Sequence, residues 1–381
     1  MLLVSDLPGV RITDATLTEL GTGSGRFKLT VKATFSAFVA SIDFDNRGSR
    51  DIGPWQNFST IAGNSLLMNG DTAIFNYSTT PGDPRVLGYY GGTYEVPLGS
   101  SGMRLGLRGS YSDVWPAGVR RDSDVRTLST DYSAYVTTVL LRSRALTIRL
   151  TGSVGGRDVV EDTSSGPNYE DHVRAVAGAA EFQFQDAWGG SNYLLVSLRQ
   201  GLSLDSSSQA GSNSSRPDAN SAFQKVSFYY AHVRPIAGAW SLMAAATGQL
   251  ASGPLLKSES IFAGGSVFGR AFAPGAVYGD NGLAGLVEVR YDATIPRLPI
   301  KGVQLYGFVD RAALWFEEAD VRQQITSAGL GARFFLTEDT RAGIEIATPI
   351  RQGTDSGIDD GTRVIVSFSR ALRGCERLWC N

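Results

Sequence analysis

Met103-Arg104-Leu105-Gly106-Leu107-Arg108-Gly109-Ser110-Tyr111-Ser112 decides the fold class. Successive side chains of an extended strand point to opposite sides. Met103, Leu105, Leu107 and Tyr111 therefore share one face, and Arg104, Arg108, Ser110 and Ser112 share the other. The same period of two recurs where Phe38, Ala40, Ile42 and Phe44 alternate with Val39, Ser41, Asp43 and Asp45. It recurs again where Leu146, Ile148, Leu150 and Val154 alternate with Thr147, Arg149, Thr151 and Ser153. About sixteen such segments follow one another, the first near 36–45 and the last near 362–371, and none sustains a 3.6-residue period. The polar face carries Arg104, Arg108, Arg149, Arg199, Glu288, Arg290, Asp310, Arg333 and Glu345, while the other is Leu, Val, Ala, Phe and Tyr. A charge facing the middle of a bilayer costs about 2–4 kcal/mol, so this segregation predicts an all-β chain. The expected architecture is a transmembrane antiparallel β-barrel of about sixteen strands, with the charged set lining a pore.

The spacing supports that reading. Short turns such as Met68-Asn69-Gly70 alternate with longer polar loops such as Asp205–Ser221, the asymmetry expected of the two rims of a barrel. Trp55, Trp115, Trp188, Trp240 and Trp315 fall near predicted strand ends, where aromatic girdles sit. The phase slips between Ala179 and Ala180, which predicts a bulge. A β-propeller would show a repeat of 40–50 residues, and none is evident. A soluble sandwich rarely needs so many strands in one domain.

Composition narrows the function. The 381 residues carry a net charge of −2, so no basic field points to nucleic acid. Two histidines and two cysteines leave too few ligands for an ordinary His- and Cys-based metal site, and neither a metal nor a cofactor is expected. Nucleophilic catalysis needs a base beside the nucleophile. Neither His172 nor His232 has a recognisable serine motif nearby, and Gly-x-Ser-x-Gly is absent. The pairs Glu317-Glu318 and Asp359-Asp360 fall in predicted loops, where adjacent carboxylates are ordinarily solvated. No catalytic residue is assigned, and the chain is not expected to be an enzyme. Transport remains, because sixteen strands enclose an aqueous channel.

Two further stretches go beyond a plain pore. Ala263-Gly264-Gly265-Ser266-Val267-Phe268-Gly269-Arg270-Ala271-Phe272 is glycine-rich and apolar with one cation, so it can fold tightly inside a confined space. Gly307-Phe308-Val309-Asp310 lies on an alternating strand whose inward face carries Tyr306, Phe308 and Asp310. An arginine on a compact loop and an aspartate on a wall suggest a loop tucked into the barrel and latched there.

These blocks, with Gly279-Asp280-Asn281-Gly282 and Asp45-Asn46-Arg47-Gly48-Ser49-Arg50, resemble the signatures of the TpsB transporters, the outer-membrane partners of two-partner secretion (the FhaC, ShlB and HecB group). Gly361–Phe368 is similar to the terminal strand recognised by outer-membrane assembly machinery. The resemblance implies an outer-membrane pore of a Gram-negative bacterium that threads an unfolded, TpsA-like exoprotein (haemolysin- or adhesin-like) from periplasm to surface without ATP. It implies that Arg270 pairs with Asp310, with Phe272 and Phe308 beside them and Gly269 at the turn. Glu288 is inward on the next strand and stands as a second acceptor for Arg270. Ala271 departs from the glycine the family commonly carries there. The alternatives are a BamA-type assembly factor, which shares the loop arginine, and a passive porin, which predicts no inward latch.

The expected domains are 1–33, the end of a periplasmic POTRA module; 34–372, the barrel; and 373–381, a tail with Cys375 and Cys380 that either pair or are idle. Met1–Asp6 is too short an apolar run for a signal peptide, so the chain is expected to be a fragment or to lack its true start, with earlier POTRA modules upstream. The expected partners are the exoprotein and the lipid bilayer, with no nucleic acid, and the barrel is expected to be monomeric.

Overall fold

The computed structural model describes residues 6–21, 25–117, 121, 123–205, 207–211, 213–295, 299–317, 321–351, 361–373 and 376–377. The sequence reading of Cys375, Cys380, Glu318, Asp359 and Asp360 lies outside these residues. Alternating apolar residues make β1 (Val10–Glu19) and β2 (Phe27–Ser36) an antiparallel hairpin, to which the short β21 (Glu376–Arg377) adds a third strand. This sheet is separate from the barrel.

The barrel begins at β3 (Phe38–Asp45), β4 (Gln56–Asn64), β5 (Thr72–Thr79) and β6 (Leu87–Leu98). It continues through β7 (Met103–Val114), β8 (Arg126–Arg142), β9 (Leu146–Thr163) and β10 (Gly166–Gln185). Then come β11 (Ser191–Gly201), β12 (Gln224–Ala237) and β13 (Trp240–Ala251). A loop carrying the hairpin β14 (Ile261–Ala263) and β15 (Val277–Gly279) leads to β16 (Asn281–Ala293), β17 (Gly302–Trp315), β18 (Arg322–Phe335), β19 (Thr340–Arg351) and β20 (Arg363–Arg373). Each barrel strand pairs with its neighbour in chain order, β13 pairs with β16, and β20 pairs with β3. The sheet closes at sixteen strands and leaves no edge.

The phase of every strand follows from the two solvents it separates. Leu105 and Leu107, Leu283 and Val287, Leu305 and Val309, and Val364 and Val366 are exposed on the outside, the face that suits lipid. Glu288, Asp310 and Glu345 lie on the opposite faces and are buried. Trp55, Trp115, Trp188, Trp240 and Trp315 all lie at or beside strand ends. No helix among the described residues is long and apolar enough to cross a membrane.

One local expectation needs correction. Register runs unbroken through Ala179↔Thr151 and Ala180↔Leu150, so no bulge separates the two alanines; the shift in this pair of strands falls between Pro167 and Tyr169 instead. A methyl side chain fits either face of a sheet, so adjacent alanines do not mark a change of phase.

Apolar burial is concentrated inside the barrel. One cluster joins Ala271, Phe272 and Val277 of the long loop to Phe308, Leu314, Ile325 and Ile365 of the wall. A second joins Leu255 and Leu256 of the same loop to Val173, Ala175, Ala219 and Phe223. The lumen is thus occupied by the chain's own loop.

Candidate functional site

The loop between β13 and β16 can fold back because its glycines accept backbone angles that other residues avoid. Gly264 has φ 110° and Gly269 has φ 80°. A Cβ at Gly264 would stand 2.1 Å from the Ala273 carbonyl oxygen, and one at Gly269 would stand 2.4 Å from Ile325 Cδ1. The tip closes on itself through Gly264 N–H donating to Phe268 O (2.8 Å), Gly265 N–H to Phe272 O (3.1 Å) and Phe272 N–H to Gly269 O (2.9 Å). Phe272 is thereby driven into the wall and fully buried.

At this point the backbone of the loop meets β17. The Gly269 N–H donates to Asp310 Oδ1 (2.7 Å) and the Arg270 N–H to Asp310 Oδ2 (3.3 Å). The Ser327 hydroxyl donates to Asp310 Oδ1 (2.7 Å). The Arg270 guanidinium goes elsewhere: Nη1 donates to Glu288 Oε2 (2.9 Å) and Glu345 Oε2 (3.2 Å), with Cζ 4.3 Å from the centroid of the Phe308 ring. The expected pairing of the Arg270 side chain with Asp310 is therefore corrected. Asp310 holds the peptide, and the two glutamates hold the charge.

The reason is geometric. The loop backbone comes so close to β17 that its amides reach Asp310 first. The side chain then runs along the strand past Phe308. Its goal is Glu288, paired in register with Phe308, one inward position from Asp310. Two residues of strand span about 6.6 Å, within the reach of an arginine.

Both glutamates are shared. Glu288 also accepts from Arg333 (2.8 and 3.0 Å) and from Arg290 (2.6 Å). Glu345 also accepts from Arg47 (3.2 Å) and from the Tyr306 hydroxyl (2.8 Å), and Arg333 lies 3.8 Å over the Tyr306 ring. Arg363 donates to the Phe272 carbonyl (2.8 Å) and to the carbonyls of Arg47 (2.9 Å) and Gly48 (3.0 Å), tying the loop tip to the β3–β4 connection. Asn46 in that connection receives the Val366 N–H (2.7 Å) and donates to Val364 O (2.9 Å), fastening the junction of the first and last strands. The Nε of Arg270 is buried and makes no hydrogen bond to the described residues. An orphaned donor of this kind costs about 1–3 kcal/mol, more for a charged group.

The first part of the loop is held by β9, β11, β12 and β13. Glu259, almost fully buried, accepts from Arg199 (3.0 and 3.1 Å) and lies 2.9 Å from Lys225 Nζ. Arg157 donates to Ser258 O (2.6 Å), and Gln249 to Glu259 O (3.1 Å) and Asp280 O (3.0 Å). Asp280 accepts from Arg216 (2.6 Å) and from the amides of Leu255 (3.0 Å) and Glu317 (3.0 Å), joining three loops. Arg199, expected to line the pore, thus fastens the loop. Of the other arginines expected to line the pore, Arg104 and Arg108 lie on β7 and Arg149 on β9. Arg104 pairs with Glu95 (3.0 Å), Arg149 with Glu181 (2.7 Å), and Arg108 lies 5.3 Å over Tyr135.

Burial raises the pKa of Glu259, and the charges of Lys225 and Arg199 outweigh it, leaving the group below the ordinary carboxylate range. A lowered folded-state pKa contributes stability that is present above the ordinary value and lost as pH falls through the folded-state value. Channel openings in planar bilayers should therefore become more frequent only below the ordinary carboxylate range. Glu259→Gln should show the openings at neutral pH and lose part of the dependence.

Sequence reading missed Arg47, Arg363, Ser327 and Glu259 as loop-holding groups. Arg47 had a signal, since it sits in the Asp45–Arg50 block, whereas Glu259 resembles any loop carboxylate until its partners are in place.

The geometry so far is a closed barrel with a long loop fastened in its lumen. The model of the family described as haemolysin secretion/activation protein ShlB/FhaC/HecB matches residues 23–334. The chain belongs to this family. As a ShlB/FhaC/HecB member it is an outer-membrane β-barrel of two-partner secretion from a Gram-negative bacterium, built for protein transport. Its fold is similar to that of CdiB from Escherichia coli, at a TM-score of 0.81 and 15% identity, over 97% of this chain and 69% of that one. It is also similar to CdiB from Acinetobacter baumannii (TM-score 0.73, 15% identity, 97% and 67%). BamA from Haemophilus ducreyi lacking POTRA domains 1–3 gives 0.61 at 13% identity, over 95% and 75%. No curated sequence matches the chain.

Proposed function

We propose that this family member passes an unfolded partner exoprotein, haemolysin- or adhesin-like, from periplasm to cell surface, and that the loop from Ser252 to Asp280 is the plug that must leave its seat first. The observation that carries this reading is the seating of Arg270 between Glu288 and Glu345 in the lumen of a closed barrel. An ion pair in a polar site adds little net stability. Its use here is positional: one loop conformation is held by groups that all release together, a two-state element. The porin alternative predicts no inward latch, so it is not favoured, and the family match favours secretion over BamA-type assembly. The β1–β2 hairpin fits the end of a POTRA module that would receive the exoprotein. A barrel without free edges fits a monomer.

The test is a reversible tether. Ser266 of the loop and Ser367 of β20 line the same cavity. With Cys375 and Cys380 replaced by serine, Ser266→Cys and Ser367→Cys joined by a cleavable bifunctional thiol reagent should stop secretion of the exoprotein, and reduction should restore it. Secretion through a barrel that stays cross-linked would overturn the plug.

If Arg270 and Asp310 were an ion pair, exchanging them would rescue either single change. We expect the reverse. Arg270→Asp with Asp310→Arg should secrete no better than either single variant, because Asp310 receives backbone amides that an arginine cannot serve.

A further inference from the structure

Beneath the loop tip lies a cavity of about 230 Å³, walled by β17–β20, the β3–β4 connection and the loop itself. Arg47, Arg270, Arg333 and Arg341 line it, with the hydroxyl-bearing Ser266 and Ser367. One carboxylate, Glu345, also lines it and is already engaged by Arg47, Arg270 and Tyr306. Around the loop tip Arg47, Arg270, Arg290 and Arg333 pair with Glu288 and Glu345, and Arg341 lines the cavity beside them. Asp310 is satisfied by two amides and a hydroxyl rather than by a cation. Positive charge is therefore in excess in a partly desolvated place, where unbalanced charge is costly. Arg341 is exposed and packs on the Phe335 ring, with Cζ 5.6 Å from its centroid; no ion pair among the described residues engages its guanidinium, which is thus open to a ligand.

We infer that this cavity is a binding site for a small oxyanion, of the phosphate or carboxylate class, formed only when the loop is seated. Guanidinium forks and hydroxyls are the donors such anions take, in short charge-assisted hydrogen bonds. The wall supplies Arg333, Arg341 and Ser367, and the loop supplies Arg270 and Ser266, so the anion bridges the two. A ligand that binds one state and not the other shifts the population toward that state. Millimolar oxyanion should accordingly hold the loop in place. The binding is independent of the transport reading; its effect on opening rests on that reading.

The test uses the full barrel refolded in detergent, with inorganic phosphate and a tetraglutamate peptide as separate probes against chloride at equal ionic strength. Phosphate stabilises folded proteins generally by exclusion from their surface. The informative quantity is therefore the difference between the wild type and the variants. For the wild type, the thermal midpoint should rise with phosphate along a saturating curve. Arg341→Gln should weaken the half-saturating concentration by about tenfold, the scale of one charge-assisted contact, while Arg341→Lys should keep most of the response. A response to tetraglutamate with none to phosphate would identify peptide carboxylates as the ligand within the same class. No saturation with either probe, or identical curves for wild type and Arg341→Gln, would overturn the site. Saturable binding that leaves channel openings unchanged would keep the site and count against the loop as plug.

Discussion

Glu288→Ala should release the loop. Glu288 is fully buried and accepts from Arg270, Arg290 and Arg333 at once. Removing one partner of a buried ion pair leaves its charge uncompensated and costs about 3–5 kcal/mol. Here three guanidiniums lose a shared acceptor, and Arg270 keeps only Glu345, which also serves Arg47 and Tyr306. The seated state suffers and the unseated loop does not, since in open water each cation regains its hydration. The barrel itself should persist, because its ladder of strand pairs does not pass through this side chain. Expected results are frequent large openings in planar bilayers and entry of large antibiotics into cells, with unchanged heat-modifiable migration of the folded barrel. A Glu288→Ala barrel as quiet as the wild type would show that Glu345, the Asp310 contacts with the loop amides and the packing of Phe272 hold the loop without Glu288. Glu288→Gln should give a smaller release, since the amide keeps one acceptor.

Gly264→Ala should have an effect of similar size by a different route. Gly264 has φ 110°, where an alanine is strained by about 1–3 kcal/mol. Its Cβ would also stand 2.1 Å from the Ala273 carbonyl oxygen, a backbone atom that cannot turn aside. The same residue donates its N–H to Phe268 O, so the tip cannot shift without losing its own closure. The expected outcome is a loop that leaves the lumen with every latch residue still present. Proteolysis after Arg270 should distinguish the cases. The wild type resists cleavage there because Arg270 is buried, and the variant is cut. Resistance in the variant would mean that the tip tolerates a second backbone conformation in its seat.

Much of this architecture was legible from one number, the period of two. Lipid outside and water inside demand opposite faces from each strand, so Met103–Ser112 alone carried the argument, and its repetition supplied the strand count. The seat of the loop was partly legible. Glycines at 264, 265 and 269 announced a tight fold, and Asp310 stood on an inward face. Phase errors arose where side chains are small, as at Ala179 and Ala180, because alanine reports neither solvent.

By itself the sequence determined which face of each strand is polar, that the chain closes into a barrel, and that an arginine-bearing glycine loop is available to enter it. The tertiary structure alone decided who meets whom. Strand register set Glu288 beside Phe308, and Gly331 of β18 beside both Tyr306 and Glu345. The depth of the loop then determined that its amides, not its guanidinium, would meet Asp310. Inward charges are read from local alternation, but pairing among them depends on distances across the lumen between segments far apart in the chain, and no local pattern encodes those.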